Sequence, residues 1–314
     1  IRQLVVILLI QVFYSLYNFK ILGEKMSETQ YLAAKTIDEA VNAHSKANGS
    51  ARFLAGGTDL LVQIKSGIKK PNLVIDVKKI VELNTIDEVS ENEFIVGASV
   101  SGANLNRNPK FSKLWPGVLE AFRLIGSEQI QGRASLGGNL CNGSPAGDSV
   151  PALIAAGCKA LIAGPNGKRE VPIEDFHTGP GKTVLENGEM LVSLKFPKRE
   201  SNSSDAYLRM TPRTEMDIAV VGCGVSISIE NNLCTSARVS MGAVAPTPLL
   251  INEATNIMVG SDLNSEILEK VSTLCMDACN PIDDKRGTIE YRTKVAGVLF
   301  KRTALIAIDR IKGN

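Results

Sequence analysis

The 314-residue chain holds only two histidines, His44 and His177, and no CxxC pair. That excludes a multi-histidine metal site and leaves little material for histidine acid–base chemistry. Its six cysteines stand apart at 141, 158, 223, 234, 275 and 279. Cys275 and Cys279 are the one close pair, at helical spacing and with no second pair to match, so a disulfide scaffold, a zinc ribbon or an iron–sulfur cluster within this chain is excluded. The cysteines read instead as reduced, mostly buried thiols of a cytosolic protein. Charge imbalance is missing too: 35 Lys+Arg against 33 Asp+Glu leave +2. There is no basic excess for nucleic acid or an anionic membrane, and no acidic tail. No internal repeat, low-complexity tract or G-x-S-x-G elbow occurs.

What is present is a soluble globular composition, 44% apolar and 22% charged, long enough for two domains or one composite domain. Gln3 to Phe19 carries no charge. It is diluted by Gln3, Gln11, Ser15 and Asn18, falls short of the ~20 apolar residues of a membrane span, and has no small-x-small cleavage site. Met26-Ser27-Glu28 opens a conventional start, so residues 1–25 read as translated upstream sequence outside the fold in preference to the alternative, a membrane anchor. Thr36 and Asp38 introduce a short amphipathic helix through Ile37, Ala40, Val41 and His44, with His44 on the surface. Strands follow at Arg52–Ala55, Leu73–Val77 and Phe94–Val100. Val118, Phe122 and Ile125 keep helical spacing. Lys159–Ala163 and Lys168–Ile173 flank a Gly164-Pro165-Asn166-Gly167 turn, and Met190–Phe196 is another strand. The polar run Lys198–Asp205 is the best domain boundary. Beyond it come a hairpin, Ala219–Glu230 and Leu233–Val244 around Asn231-Asn232, and helices at Ser265–Cys279 and Thr288 to about Ile311.

Two glycine-rich loops dominate the candidate chemistry. In Ala55-Gly56-Gly57-Thr58-Asp59-Leu60 a strand ends at two glycines and a helix begins, a turn that aims backbone N–H groups at one spot and suits a phosphate or pyrophosphate. Ser135-Leu136-Gly137-Gly138-Asn139 repeats the device. Asp148 follows it, either as an acceptor for sugar hydroxyls or as a helix N-cap. Two look-alikes fail. Gly222-Cys223-Gly224 has Ile227 where a dinucleotide fingerprint needs glycine and continues as strand. Gly181-Lys182-Thr183 has Phe176 where a P-loop needs glycine.

Phe53–Gly67 and Ala134–Ala155, which contain these loops, resemble the FAD-binding subunit of the molybdenum hydroxylases, the family of xanthine dehydrogenase and of the carbon monoxide dehydrogenase medium subunit. His177–Leu185, Thr211–Gly222, Gly242–Pro248 and Pro281–Arg292 match further motifs of that family in order. The resemblance runs from about residue 28 to the C-terminus. It implies an α+β architecture: a PCMH-type, vanillyl-alcohol-oxidase-like FAD-binding fold of two subdomains over 26–200, then a carbon monoxide dehydrogenase flavoprotein C-terminal α+β domain over 204–312. By motif, Ala55, Gly56, Gly57, Thr58, Asp59 and Leu60 would hold the pyrophosphate of a non-covalent FAD. Ser135, Leu136, Gly137, Gly138 and Asn139 would line flavin and diphosphate, and Asp148 would bind the cofactor's hydroxyls. Leu191 would be the flavin-side hydrophobe, and Arg209 the basic residue near the isoalloxazine. Gly132 stands where many members have Asn.

The function implied is electron transfer within a molybdenum hydroxylase. A molybdopterin-binding large subunit would oxidise a substrate, a [2Fe-2S] small subunit would relay the electrons, and this FAD would pass them to an acceptor such as NAD. A chain without a metal-ligand cluster is consistent with that, because a flavin carries its own redox chemistry. A self-contained PCMH-type flavin oxidase shares the fold but needs a substrate pocket with its own base, for which no constellation is visible. A non-catalytic nucleotide-binding module would be colourless.

Overall fold

The structure is a computed structural model that describes residues 29–214 and 216–313. The apolar leader expected over 1–25 lies outside the described residues. β1 (Gln30–Ala33), α1 (Ile37–Lys46), β2 (Ala51–Leu54), α2 (Leu60–Lys65) and β3 (Leu73–Asp76) form two successive strand–helix–strand units. Their strands pair in parallel in the order β1-β3-β2. Thr36 Oγ1 caps α1 by accepting from the Glu39 N–H at 3.1 Å, and Asp38 and Glu39 in the first turn meet the positive end of the helix dipole. The buried face of α1 is Ile37, Ala40 and Val41. His44 differs from its expected surface role. It is half-buried and stacked on Phe53 at 4.5 Å, and its Nδ1 accepts from the Gly188 N–H at 3.1 Å.

β4 (Ile86–Ser90) and β5 (Glu93–Gly97) open a second sheet. The chain then leaves it for six short helices: α3 (Gly102–Asn106), α4 (Pro109–Leu114), α5 (Pro116–Arg123), α6 (Glu128–Gln131), α7 (Leu136–Cys141) and α8 (Ser149–Ala155). It returns through β6 (Lys159–Gly164), β7 (Gly167–Pro172), the small hairpin β8 (His177–Gly179) and β9 (Lys182–Thr183), and β10 (Met190–Phe196). The sheet is antiparallel, ordered β4-β5-β10-β6-β7. Its helix-covered face holds an aromatic cluster of Phe94, Phe111, Trp115 and Phe196.

The third sheet runs β11 (Ser203–Met210), β12 (Val221–Glu230), β13 (Leu233–Gly242) and β14 (Leu249–Leu250), antiparallel in that order. The β12–β13 turn uses Asn231 at φ 50° and Asn232 at φ 63°, two left-handed residues whose twist suits a tight hairpin. α9 (Asn252–Met258), α10 (Ser265–Asp277) and α11 (Ile289–Lys312) complete the chain. α11 covers one face of this sheet, while α5 and α8 of the preceding domain cover the other. Covered twice, Val221–Val225 are buried at successive positions, the pattern of a two-sided core strand.

That second cover explains the glycines of β12 and β13. A Cβ on Gly224 would lie 2.6 Å from Pro151 O, and one on Gly242 2.6 Å from Pro151 Cγ. Glycine marks the strand positions where another backbone comes close. In α8 every residue is buried, as for a helix packed all round, and Pro151 is tolerated because it falls in the first turn.

The polar run Lys198–Asp205 differs from a solvated linker. Arg199 is 4% exposed and Asp205 2%. Their charges pair at 3.3 Å, and the guanidinium lies over the Trp115 ring at 4.1 Å. Asp205 Oδ2 also accepts from the Val118 N–H at 3.1 Å. The run is polar because it carries an ion pair into the domain junction. Arg199→Ala should therefore lower the unfolding free energy by about 3–5 kcal/mol, since it leaves a buried carboxylate uncompensated. Chemical denaturation should show Arg199→Met combined with Asp205→Asn costing less than Arg199→Ala alone.

Candidate functional site

The two glycine-rich loops lie 80 residues apart in sequence, and one contact brings them together. A Cβ on Gly56 would stand 1.9 Å from Arg133 O, and Arg133 Nε donates back to Gly56 O at 2.9 Å. No other residue type fits so close an approach. Gly57, at φ +78°, turns the chain into α2, whose first bond runs from the Leu61 N–H to Gly57 O at 3.1 Å. Ala55, Gly56, Gly57, Thr58 and Leu60 are half-buried and Asp59 is exposed. Gln63 Nε2 also reaches Asn142 Oδ1 at 3.1 Å, a second tie between the loops.

The second loop is the start of α7. Ser135 Oγ caps it by accepting from the Gly138 N–H at 3.0 Å. Ser135 is 2% exposed, so its hydroxyl serves the helix rather than the open side. Leu136 is core, and a Cβ on Gly137 would stand 2.5 Å from Ala98 O. Gly138 is different: it is exposed, and its Cβ would meet only Ser135 Oγ at 3.1 Å. Asn139 Oδ1 accepts from Ser149 Oγ at 2.7 Å, which ties α7 to the start of α8. The β8–β9 hairpin braces the other end of α7. Gly181 N–H donates to Gly143 O at 2.8 Å, and His177 Nε2 meets Leu140 O at 2.7 Å. A carbonyl only accepts, so that nitrogen carries the proton, and burial holds the His177 pKa below the usual histidine range.

Asp148 precedes α8 but makes no capping bond. Its carboxylate turns toward the third sheet. Oδ1 accepts from the Tyr207 hydroxyl at 3.0 Å, and Oδ2 from Arg209 Nη1 at 2.7 Å. Burial pushes its pKa up to about 6, against the pull of Arg209 and Tyr207. Arg209 is thus committed to Asp148, and its Nη1 also donates to Asp217 O at 3.1 Å. Leu191 lies in the core, 5% exposed, where β10 bulges against β6.

A cleft of about 170 Å³ opens between the subdomains, lined by Gly56, Lys78, Ser99, Ser101, Asn104 and Arg133 among others. Ser99 Oγ is buried there with no hydrogen-bond partner, a polar group awaiting one. Ser99 and Lys78 were invisible to sequence reading, for neither belongs to a motif and only the fold brings them to Gly56. Gly132, on the cleft's rim, has φ −60°, and a Cβ there would meet only main-chain oxygens, the nearer at 3.3 Å. Its glycine is not demanded by the local backbone. An extended, phosphate-bearing cofactor fits these features: backbone brought close by glycine, an open position at Gly138 and an unpaired hydroxyl in the cleft. Among the described residues, no group of three or more His, Cys, Asp or Glu is placed to hold a metal ion, and no helix is long and apolar enough to cross a membrane.

Comparison with known proteins gives the family. Residues 25–199 match the family described as FAD binding domain in molybdopterin dehydrogenase, and residues 206–307 match the CO dehydrogenase flavoprotein C-terminal domain. The carbon monoxide dehydrogenase medium chain of Afipia carboxidovorans is 32% identical over 285 residues, covering 90% of this chain and 96% of that one. The xanthine dehydrogenase FAD-binding subunit of Escherichia coli O157:H7 is 30% identical, covering 90% and 97%. A crystal structure of the Cu,Mo-CO dehydrogenase superposes with a TM-score of 0.86 at 31% identity, covering 90% of this chain and 98% of that chain.

Adjacent glycines of α7 should respond oppositely to the same substitution. Gly137→Val drives a branched side chain into the Ala98 backbone and should cost about 3 kcal/mol of stability. Gly138→Val should cost about 1 kcal/mol but fill the space a bound phosphate chain needs. Thermal melts and retained flavin absorbance after desalting separate the two effects. A Gly138→Val protein that stays yellow would remove the second loop from the cofactor site.

Proposed function

The chain belongs to the FAD-binding family of the molybdopterin dehydrogenases, and from that premise we propose that it takes electrons from an iron–sulfur partner and passes them to an external acceptor such as NAD. It is an FAD-binding medium subunit of the molybdenum hydroxylase type. Its proposed partners are a molybdopterin-binding large subunit and a [2Fe-2S] small subunit. The observation that carries the reading is the Gly56–Arg133 contact, which brings the first glycine loop against the segment leading into the second, both residues lining one cleft.

In this reading Ala55–Leu60 offer the backbone for the pyrophosphate, and the α7 loop from Ser135 to Asn139 approaches flavin and diphosphate through its main chain. Asp148 accepts from the cofactor's hydroxyls, while Leu191 and Arg209 stand behind the isoalloxazine side. Bound FAD would supply one- and two-electron exchange, which lets one subunit link a one-electron relay to a hydride acceptor. What the chain itself contributes is position: the loops fix the cofactor from both subdomains, and the buried walls exclude water from its inner face. The cofactor is held without a covalent bond. Of the two histidines, His44 stacks on Phe53 and bonds Gly188, while His177 is spent on Leu140.

The purified chain should be yellow, and acid precipitation should move all of that colour into the supernatant. With NAD as its acceptor, the chain alone should reduce a dye with NADH yet oxidise no purine, aldehyde, CO or aromatic heterocycle. Co-expression with the large and small subunits should bring that oxidation. Turnover of such a substrate by the single chain, with no molybdenum on metal analysis, would instead identify a self-contained flavin oxidase.

A further inference from the structure

We propose that Tyr207 and Arg209 are positioning residues: from the C-terminal domain they hold the Asp148 carboxylate as an oriented acceptor for the cofactor's hydroxyls. This rests on the reading of Asp148 as a cofactor ligand.

The geometry is specific. Asp148 begins a helix yet does not cap it, although an aspartate at that position ordinarily satisfies a free N–H of the first turn. Its two oxygens are instead divided between two donors on one strand, Tyr207 Oη at 3.0 Å and Arg209 Nη1 at 2.7 Å. These alternate along β11, so both point to the same face of the sheet. Tyr207 is 2% exposed and Asp148 7%. A Cβ on Gly222, the register partner of Arg209, would lie 2.5 Å from the phenol oxygen of Tyr207. The glycine therefore leaves room for the ring's hydroxyl to reach across the domain junction. Arg209 is fixed in turn by Asp217 O at 3.1 Å, and Asp217's own carboxylate is occupied by the Arg213 and Ile218 N–H groups.

Such an arrangement ties α8 to the third sheet and also leaves an acceptor. Burying a carboxylate costs free energy unless donors surround it, and two donors leave lone pairs to spare on its oxygens. Next door, Ser149 Oγ donates to Asn139 Oδ1, which brings the start of α8 against the α7 loop. The titratable and charged groups facing Asp148 are Arg209 and Tyr207 of β11, and Tyr207 is itself flanked by Cys223 of β12. Burial pushes Asp148 up to about 6 while both donors oppose that rise. Above that pH the carboxylate is charged and accepts strongly; below it a proton takes one of the lone pairs. Affinity for FAD should therefore fall as pH drops through about 6. Loss of either donor should raise the pH at which the fall begins.

The test is a double-mutant cycle on the full chain stripped of FAD, with FAD titrated back and followed by flavin fluorescence between pH 5 and 8. Tyr207→Phe should weaken FAD roughly tenfold at pH 7 and move the pH dependence upward, with Tm little changed. Asp148→Asn should weaken FAD and flatten the profile, and adding Tyr207→Phe to it should do nothing more. Arg209→Gln gives a second arm; because Arg209 also stands by the isoalloxazine in the proposed reading, it supports positioning only if its effect disappears in the Asp148→Asn background. If Asp148→Asn binds FAD as the parent does, the ligand reading itself falls and takes this proposal with it. If Asp148→Asn weakens FAD but neither donor variant does, Asp148 is a ligand and the positioning role is wrong. An equal loss from Tyr207→Phe with or without Asp148 would also overturn it.

Discussion

The structure turns on the seat of one seven-residue helix. α8 belongs to the first domain by sequence, but it lies on the sheet of the second and is gripped there along its whole length. At its start Asp148 meets Tyr207 and Arg209. In its first turn Pro151 rests on Gly224 and Gly242. At its end the Ile154 carbonyl, which already accepts from the Gly157 N–H at 3.0 Å, also accepts from Arg238 Nε at 3.0 Å. Arg238 then reaches Glu174 at 2.8 Å. Only a helix without a polar face can be held this way, and SVPALIA has none. Val150, Leu153 and Ile154, each at most 1% exposed, contribute about 1.5–3 kcal/mol apiece by burial. The glycines opposite set how near the helix can come. From that distance follow the two-sided burial of β12 and the reach of a carboxylate in one domain to donors in the other.

Arginine braces the C-terminal domain and its junction by a repeated device. Arg292, 3% exposed, donates to Val220 O at 2.6 Å and Ala243 O at 3.3 Å and pairs with Asp284 at 2.7 Å. Arg310 of α11 donates to Asp205 O at 2.6 Å and pairs with Glu120. Arg238 and Arg209 likewise bond a main-chain oxygen and a carboxylate each. In each case a planar, multidentate donor serves a main-chain oxygen, in a loop (Val220, Asp217), in a helix end (Ile154) or in a strand (Asp205), and a carboxylate balances the charge. Ion pairs of this kind give little net stability against apolar replacements. What they provide is directionality: each fixes one segment to a particular neighbour, where apolar contact alone would tolerate sliding.

The sequence made some of this legible because certain residues act locally. Thr36 caps its helix, and Asn231-Asn232 turn their hairpin through their own backbone preference. The first glycine loop declared itself through its strand–glycine–helix order, whereas Gly137 and Gly138 lie inside α7 and follow a helix, not a strand. Other features depend on distant contacts. Arg199 and Asp205 look solvated until Trp115 and Val118 are beside them. Gly222 and Gly224 resemble a failed nucleotide motif until Tyr207 and Pro151 are seen to occupy the space opposite. Ser135 and Asp148 show the same limit from both sides. Each is a good capping residue by type, yet only Ser135 caps, because Tyr207 and Arg209 compete for Asp148 with stronger, charge-assisted donation.

Glycine itself is the clearest case of one residue type with opposite meanings. Gly56, Gly137, Gly224 and Gly242 face protein, and the atoms a Cβ would strike are main chain or a proline ring. Those glycines exist for packing, and their loss is felt in stability. Gly138 sits one residue beyond Gly137 on the same short helix, yet it faces outward, with only a serine hydroxyl near. A Cβ there would press on the capping Ser135 Oγ at 3.1 Å, but no main chain bars it. The fold's demand for glycine is therefore weaker at Gly138 than at Gly137. In the proposed function that exposed position is the one the cofactor needs open.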